Sequence, residues 1–242
     1  MRFFLYILMT CLLPVQCFAE EINMQVIIYP PLAYEVDGEL RGVAPDVVRA
    51  IQAEIGDTNK IYAAPWLRAY EQTQTHERQA LFAIVRIPKR ENLFKWVGPI
   101  FEEGDYFFKK KGTELDVRSL RDARIVKRIA VRKDGYTHQA LQEAGFDNLD
   151  ISPTYDSSYK KLAEGRVDLV LLGERTYYYM VRKAGLDHTL FEKTECKFAE
   201  SGAWLAFSKD TPDETILKWQ QALDTLKENG VFDQIMERNF SH

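Results

Sequence analysis

Residues 81–100, LFAIVRIPKRENLFKWVGPI, decide how this chain is read. Residues 81–85 are a continuous apolar run, as expected of a strand buried on both faces. Pro88 has no N–H to give to a ladder and so marks the strand's exit. Arg90 then falls on a loop or first helical turn at the strand's carboxyl end, the side of an open α/β sheet where ligands bind. A guanidinium there can meet an anion. The plainer reading makes Arg90 a solvated arginine, or a partner for Glu91 or Glu102, because charged side chains are mostly exposed.

Outward from this stretch, apolar runs of strand length alternate with helical periodicity, the signature of an α/β chain. Residues 24–28 are expected to form the first strand, followed by a hairpin turn at Asp37-Gly38. A helix over 45–55 follows, with Val47, Val48, Ile51 and Ile55 on one face before Gly56 stops it. Residues 66–73 read as helical after Pro65. Glu102 to Asp105 break the pattern with charge and glycine, and residues 106–109 restart it as a strand. Residues 129–132 form a strand into a Lys-Asp-Gly turn, residues 137–144 and 155–164 form helices, and residues 167–172 form a buried strand. Residues 204–207 read as a strand and 212–228 as a long helix, whose Ile216, Trp219, Leu223 and Leu226 recur at three- and four-residue steps. Residues 231–239 make a short last helix.

The amino-terminal end has Arg2, an apolar run over 3–13, a break at Pro14 and small residues towards Ala19. That is the pattern of a cleaved secretory signal over residues 1–19, too short for a comfortable membrane span. A lipoprotein reading needs a modified Cys11 or Cys17, but Thr10 and Gln16 precede them; a retained anchor is the other alternative. After cleavage Cys196 alone remains of three cysteines, which excludes an intramolecular disulfide. A net charge of −4 leaves no basic field for nucleic acid or anionic lipid, so any anion selectivity is local. His76, His138, His188 and His242 are scattered without metal-ligand spacing. No GxSxG, Walker-type or GxGxxG run occurs, and no cofactor or metal is expected.

Four segments in register carry a resemblance. They are residues 29–56, YPPLAYEVDGELRGVAPDVVRAIQAEIG; residues 88–101, PKRENLFKWVGPIF; residues 164–174, EGRVDLVLLGE; and residues 202–240, GAWLAFSKDTPDETILKWQQALDTLKENGVFDQIMERNF. In order and spacing the chain resembles the bacterial extracellular solute-binding proteins of family 3, the amino-acid-binding type that serves ABC transporters. The resemblance implies a two-lobed, periplasmic binding protein-like (type 2) fold with two interlobe crossings and a ligand cleft. Residues 20–103 and 201–242 would form lobe 1 and residues 104–200 lobe 2, with crossings near residues 102–105 and 199–202. It implies an exported, monomeric periplasmic protein whose partners are a small carboxylate-bearing solute and an inner-membrane permease or a sensor.

Carried over residue by residue, Arg90 matches the carboxylate clamp, and Tyr29 and Trp66 match aromatics of the first-lobe face. In VRKDGYTHQAL, Gly135, Tyr136 and Thr137 match the strand-to-helix turn that meets the ligand's acidic end. Trp66 also reads as a core tryptophan, and Asp134 or Thr137 as a plain helix cap. Where relatives that hold a free amino acid place an aspartate for the ammonium, this chain has Gly173, with Glu174 one residue later. Either Glu174 substitutes or the ligand lacks an amino group. Arg86 and Arg68 are candidates for a second guanidinium, and Tyr177, Tyr178 and Tyr179 for a cleft wall. One enzyme alternative is kept: cyclohexadienyl dehydratases share the fold, and Glu174 would then be a buried catalytic acid.

Overall fold

A computed structural model describes residues 21–240. The segment read above as an export signal, with Cys11 and Cys17, and the carboxyl-terminal His242 lie outside the described residues.

Strand β1 (Asn23–Val26) lies between parallel β4 (Ile61–Ala63) and β5 (Gln79–Val85). The hairpin β2 (Tyr34–Val36) and β3 (Glu39–Arg41) turns at Asp37 and Gly38, both in the left-handed region at φ 52 and 79, which is the two-residue turn that Asp-Gly favours. Helix α1 (Val43–Ile55) buries Val43, Val47, Val48 and Ile51 on one stripe and stops at Gly56, whose φ of 71 lets it close the last turn. Helix α2 (Trp66–Thr75) buries Trp66, Ala69 and Thr73 at the same kind of spacing. The chain leaves β5 through α3 (Pro88–Glu91), a single turn opened by Pro88.

The expectation of a break at Glu102 to Asp105 is not what the chain does. Strand β6 (Lys95–Lys110) runs unbroken for 16 residues, and its antiparallel partner β10 (Phe191–Phe207) for 17, of which residues 204–207 are only the last part. Charge did not end the strand because the ladder supplies a partner for each residue of the charged stretch. Glu102 pairs with Gly202 in register, Glu103 with Ser201, and Asp105 with both Ala199 and Gly173. Side chains alternate faces, so Phe101, Glu103 and Asp105 share one side.

Beyond this pair come α4 (Leu120–Ile125), β7 (Ile129–Arg132), α5 (Tyr136–Glu143), β8 (Leu149–Ser152), α6 (Tyr155–Ala163), β9 (Leu169–Gly173) and α7 (Tyr177–Lys183). The chain returns through β10 to α8 (Asp213–Glu228) and α9 (Val231–Phe240). The eight-stranded mixed sheet has the order β4-β1-β5-β10-β6-β9-β7-β8. Strands β4 and β8, the outermost, and helix α4 were not expected from the sequence; all three are short, which weakens their periodic signal.

The buried side chains fall into separate cores. A large one joins residues of β1, α1, α2 and β5 with Phe101, Ala203, Leu205, Trp219, Leu223 and Ile235, so the carboxyl-terminal helices pack with the first part of the chain. In the other half, period-two alternation sends Phe107, Ile129, Val131, Leu169 and Leu171 to one face beneath α4 and α5. Phe108, Ala130, Val170 and Leu172 go to the opposite face beneath α6 and α7. Among the described residues only β6 and β10 run through both halves. Among the described residues no helix is long and apolar enough to cross a membrane.

Candidate functional site

A cavity of about 50 Å³, room for a few water-sized groups, lies where β6 and β10 pass between the halves. The first half contributes Tyr29, Trp66, Val85 and Arg90 to its wall. The second contributes Arg132, Tyr136, Thr137 and Tyr155, and the crossing strands contribute Phe101, Glu103, Asp105 and Ser201.

Arg90 is held by its local fold. Ile87 is extended before the Pro88 turn, and the Arg90 N–H donates to the Ile87 carbonyl at 2.8 Å. The guanidinium is 1% exposed, lying 4.8 Å over the Trp66 ring and 5.3 Å over Tyr70. Its Nη1 donates to the Val85 carbonyl at 2.9 Å, and its Nε donates to Gln139 Oε1 of α5 at 3.0 Å, a bond between the halves. Nη2 is buried without a hydrogen-bond partner. Burial pulls the guanidinium down to about 10, since a charge removed from water costs free energy unless it is paired. Beside it, Ala83 has φ 61 at a shift of register between β5 and β10. This bulge next to the cavity re-aims the strand end.

Trp66 stacks on Tyr70 at 4.8 Å, and its Nε1 donates to the Asp134 carbonyl at 3.0 Å, a second bond between the halves. Asp134 presents that carbonyl from a left-handed turn with φ 52. Tyr29 meets Tyr155 edge-on at 5.6 Å across the cavity, and burial drives its hydroxyl well above the usual tyrosine range. Gly135 caps α5 without lining the cavity, and Tyr136 and Thr137 open that helix towards the cavity.

Two acids escaped sequence reading. The carboxylate of Glu103 accepts from the backbone N–H groups of Arg175 and Thr176 at 2.9 and 3.0 Å and from the Thr176 hydroxyl at 2.8 Å. Burial pushes it up to about 7. Asp105 accepts from the Tyr136 hydroxyl at 2.5 Å, and burial pushes it up to about 6. Their period-two spacing with Phe101 was the available signal. Arg132 and Tyr155 were likewise seen only as the ends of a strand and a helix.

Of the residues named from the sequence, Tyr29, Trp66, Arg90, Tyr136 and Thr137 come together at the cavity. Arg68, Arg86 and Glu174 do not. Arg68 is exposed, off the buried stripe of α2. Arg86 is paired with Glu91 at 2.8 and 2.5 Å and lies over Trp204 and Trp96, so Arg86, and not Arg90, is the partner of Glu91. Glu174 is exposed and paired with Lys193 at 3.1 Å, which does not suit a desolvated acid. Tyr177 stacks on Phe108 within the second half, and Tyr178 packs against His188, so neither walls the cavity. Tyr179 packs edge-on against Phe240. Among the described residues no group of three or more His, Cys, Asp or Glu side chains is placed to hold a metal ion.

Solved structures share this architecture. A histidine kinase sensor domain with similarity to periplasmic binding proteins superposes with a TM-score of 0.79 at 20% identity, covering 91% of this chain and 97% of that one. An ancestral arginine-binding protein bound to arginine gives 0.75 at 20% identity, covering 90% and 98%. The GluR0 ligand-binding core from Nostoc punctiforme, in complex with L-glutamate, gives 0.75 at 21% identity, covering 91% and 100%. At these identities they establish the fold. No curated protein matches the sequence. The sequence profile of the bacterial extracellular solute-binding proteins, family 3, matches residues 24–242; the family, as its name describes it, and these structural neighbours are binding proteins, while enzymes occur in the wider family. That match spans both crossing strands and every residue of the cavity wall, and on it the chain belongs to family 3 of the bacterial extracellular solute-binding proteins.

Proposed function

We propose that this protein captures a small, carboxylate-bearing, amino-acid-like solute between two hinged lobes and presents the closed form to a membrane partner. The lobes are residues 20–103 with 201–242 and residues 104–200, and β6 and β10 are the hinge. A solute touched by both lobes favours the closed form by its differential affinity for that state. The observation that carries this reading is Arg90, fully buried at the cavity beside the Tyr70 ring, with an Nη2 that makes no hydrogen bond. Such a donor is satisfied by a ligand oxygen, and a desolvated guanidinium–carboxylate pair is strong and geometrically selective. Tyr29, Trp66, Tyr136 and Thr137 shape the pocket, Gly135 sets the start of α5, and Glu103 with Asp105 receives an ammonium group. The protein acts in the periplasm as a monomer, and its partner is the permease of an ABC transporter. The likeness to a kinase sensor domain supports a second reading, in which the closed form is read by a signalling partner.

The test is a thermal-shift screen of the mature protein against the free L-amino acids, their carboxamides and small mono- and dicarboxylates. Saturable stabilisation by carboxylates and not by their amides is expected; a set of ligands without carboxylate, or none at all, contradicts the reading.

A further inference from the structure

The cavity contains a second cation of a kind the sequence did not single out. Arg132 ends β7 with its guanidinium 4.4 Å over Tyr155 and 5.2 Å over Trp66, so the same indole carries Arg90 from one half and Arg132 from the other. The seat for this side chain is built into the turn that follows. A Cβ on Gly135 would stand 3.1 Å from Arg132 Nε, although its backbone lies outside the left-handed region, so the glycine serves close approach and not conformation. Arg132 Nε is buried and, like Arg90 Nη2, has no hydrogen-bond partner. Among the described residues neither guanidinium forms an ion pair. The two buried carboxyl groups of the cavity accept from hydroxyls and pair with neither guanidinium, Glu103 with Thr176 and Asp105 with Tyr136.

The buried Arg90 and the partly buried Arg132 face one cavity from the two halves and repel, and the charge of Arg132 adds to the fall of the Arg90 pKa that burial begins. An anion between them reverses the sign of that interaction. A carboxylate suits the gap because it has two oxygens, each able to accept from a different donor. We propose that Arg132 is the second-lobe half of an anion grip, in which one carboxylate of the solute bridges Arg90 Nη2 and Arg132 Nε. The solute's negative charge then offsets the repulsion of the two cations across faces that the Arg90–Gln139 and Trp66–Asp134 bonds already join, and Arg132 becomes a determinant of carboxylate over amide. This rests on the solute-binding reading above and adds to it the group that the second lobe recognises.

Calorimetry on wild type, Arg132→Gln, Arg132→Lys and Gly135→Ala tests it, with L-glutamate, L-glutamine, L-arginine and acetate as probes, each against its primary amide. The expected result is that Arg132→Gln weakens the best carboxylate at least tenfold while its amide is unaffected. Arg132→Lys retains part of the preference, and Gly135→Ala, whose Cβ would press on Arg132 Nε, lowers it in part. Melting temperatures of the unliganded variants report folding; if Arg132→Gln does not fold, Arg132→Lys decides. A carboxylate-to-amide ratio unchanged in Arg132→Gln, or unchanged in Arg132→Lys, overturns the bridge. The solute-binding reading survives that result if Arg90→Gln does abolish the ratio. If none of the carboxylates binds the wild type, the bridge and that reading fall together.

Discussion

The carboxyl group of Glu103 occupies the space that a side chain at position 173 would fill: a Cβ on Gly173 would stand 2.0 Å from its carboxyl carbon. The glycine is required there for room alone, because its backbone lies outside the left-handed region. The strand end where an acid was looked for carries none, and the neighbouring β6 delivers one into the same place.

Gly173→Ala should therefore expel Glu103 and strand the N–H groups of Arg175 and Thr176 that it now satisfies. Overpacking and lost charge-assisted bonds together cost about 2 to 4 kcal/mol. Urea unfolding measures the loss, and adding Glu103→Ala to Gly173→Ala should restore part of it. Unchanged stability in Gly173→Ala would mean that Glu103 has another seat.

Glu103 also sets a pH dependence. Its carboxyl is held up to about 7 against an ordinary 4.5, so over that interval the folded chain binds a proton that the unfolded chain has lost. The resulting stability is fully present below about pH 4.5 and is lost as pH rises through about 7. Asp105, raised to about 6, acts in the same direction. Melting temperatures of the unliganded protein across this window should fall less steeply with pH in Glu103→Gln than in wild type, and identical slopes would contradict the assignment. A solute bearing an ammonium group needs the ionised carboxylate, so its affinity should climb over the same interval.

How far the chain could be read in advance follows from which signals are local. A proline after an apolar run, a glycine after a helical stripe and an Asp-Gly pair announce themselves within a few residues, and β5, the end of α1 and the β2–β3 turn stand where those signals put them. The place of Arg90 at a strand's exit was legible because it follows Pro88, but local signals read it equally as a solvated arginine, and the family resemblance singled it out. Glu103, Asp105 and Arg132 were not, because nothing local distinguishes an acid or arginine on a solvated loop from one buried by the opposite half of the molecule. Arg86 shows the converse: one residue from the cavity-lining Val85, it is drawn outwards by Glu91 and two indoles.

Arg175, which does not line the cavity, makes a contact between the halves. Its guanidinium lies 4.1 Å over Phe240 of α9 and 5.0 Å over Phe101, two rings stacked at 5.3 Å. A cation–π contact of this kind contributes about 0.5 to 2 kcal/mol, here to the closed arrangement and not to any solute. Arg175→Ala should weaken all bound solutes by a common factor of about two to thirtyfold, leaving their rank order intact. Calorimetry across the solutes that bind measures this, and a changed order would place Arg175 in recognition instead.

The central claim is that Arg90 grips the solute's carboxylate, and titration calorimetry of Arg90→Ala beside wild type with the best-binding carboxylate tests it most directly. Removing one partner of a desolvated charge pair costs about 2 to 5 kcal/mol, so affinity should fall by about thirtyfold or more while the variant stays folded. An affinity equal to that of wild type would contradict the account and leave Arg90 as a structural cation.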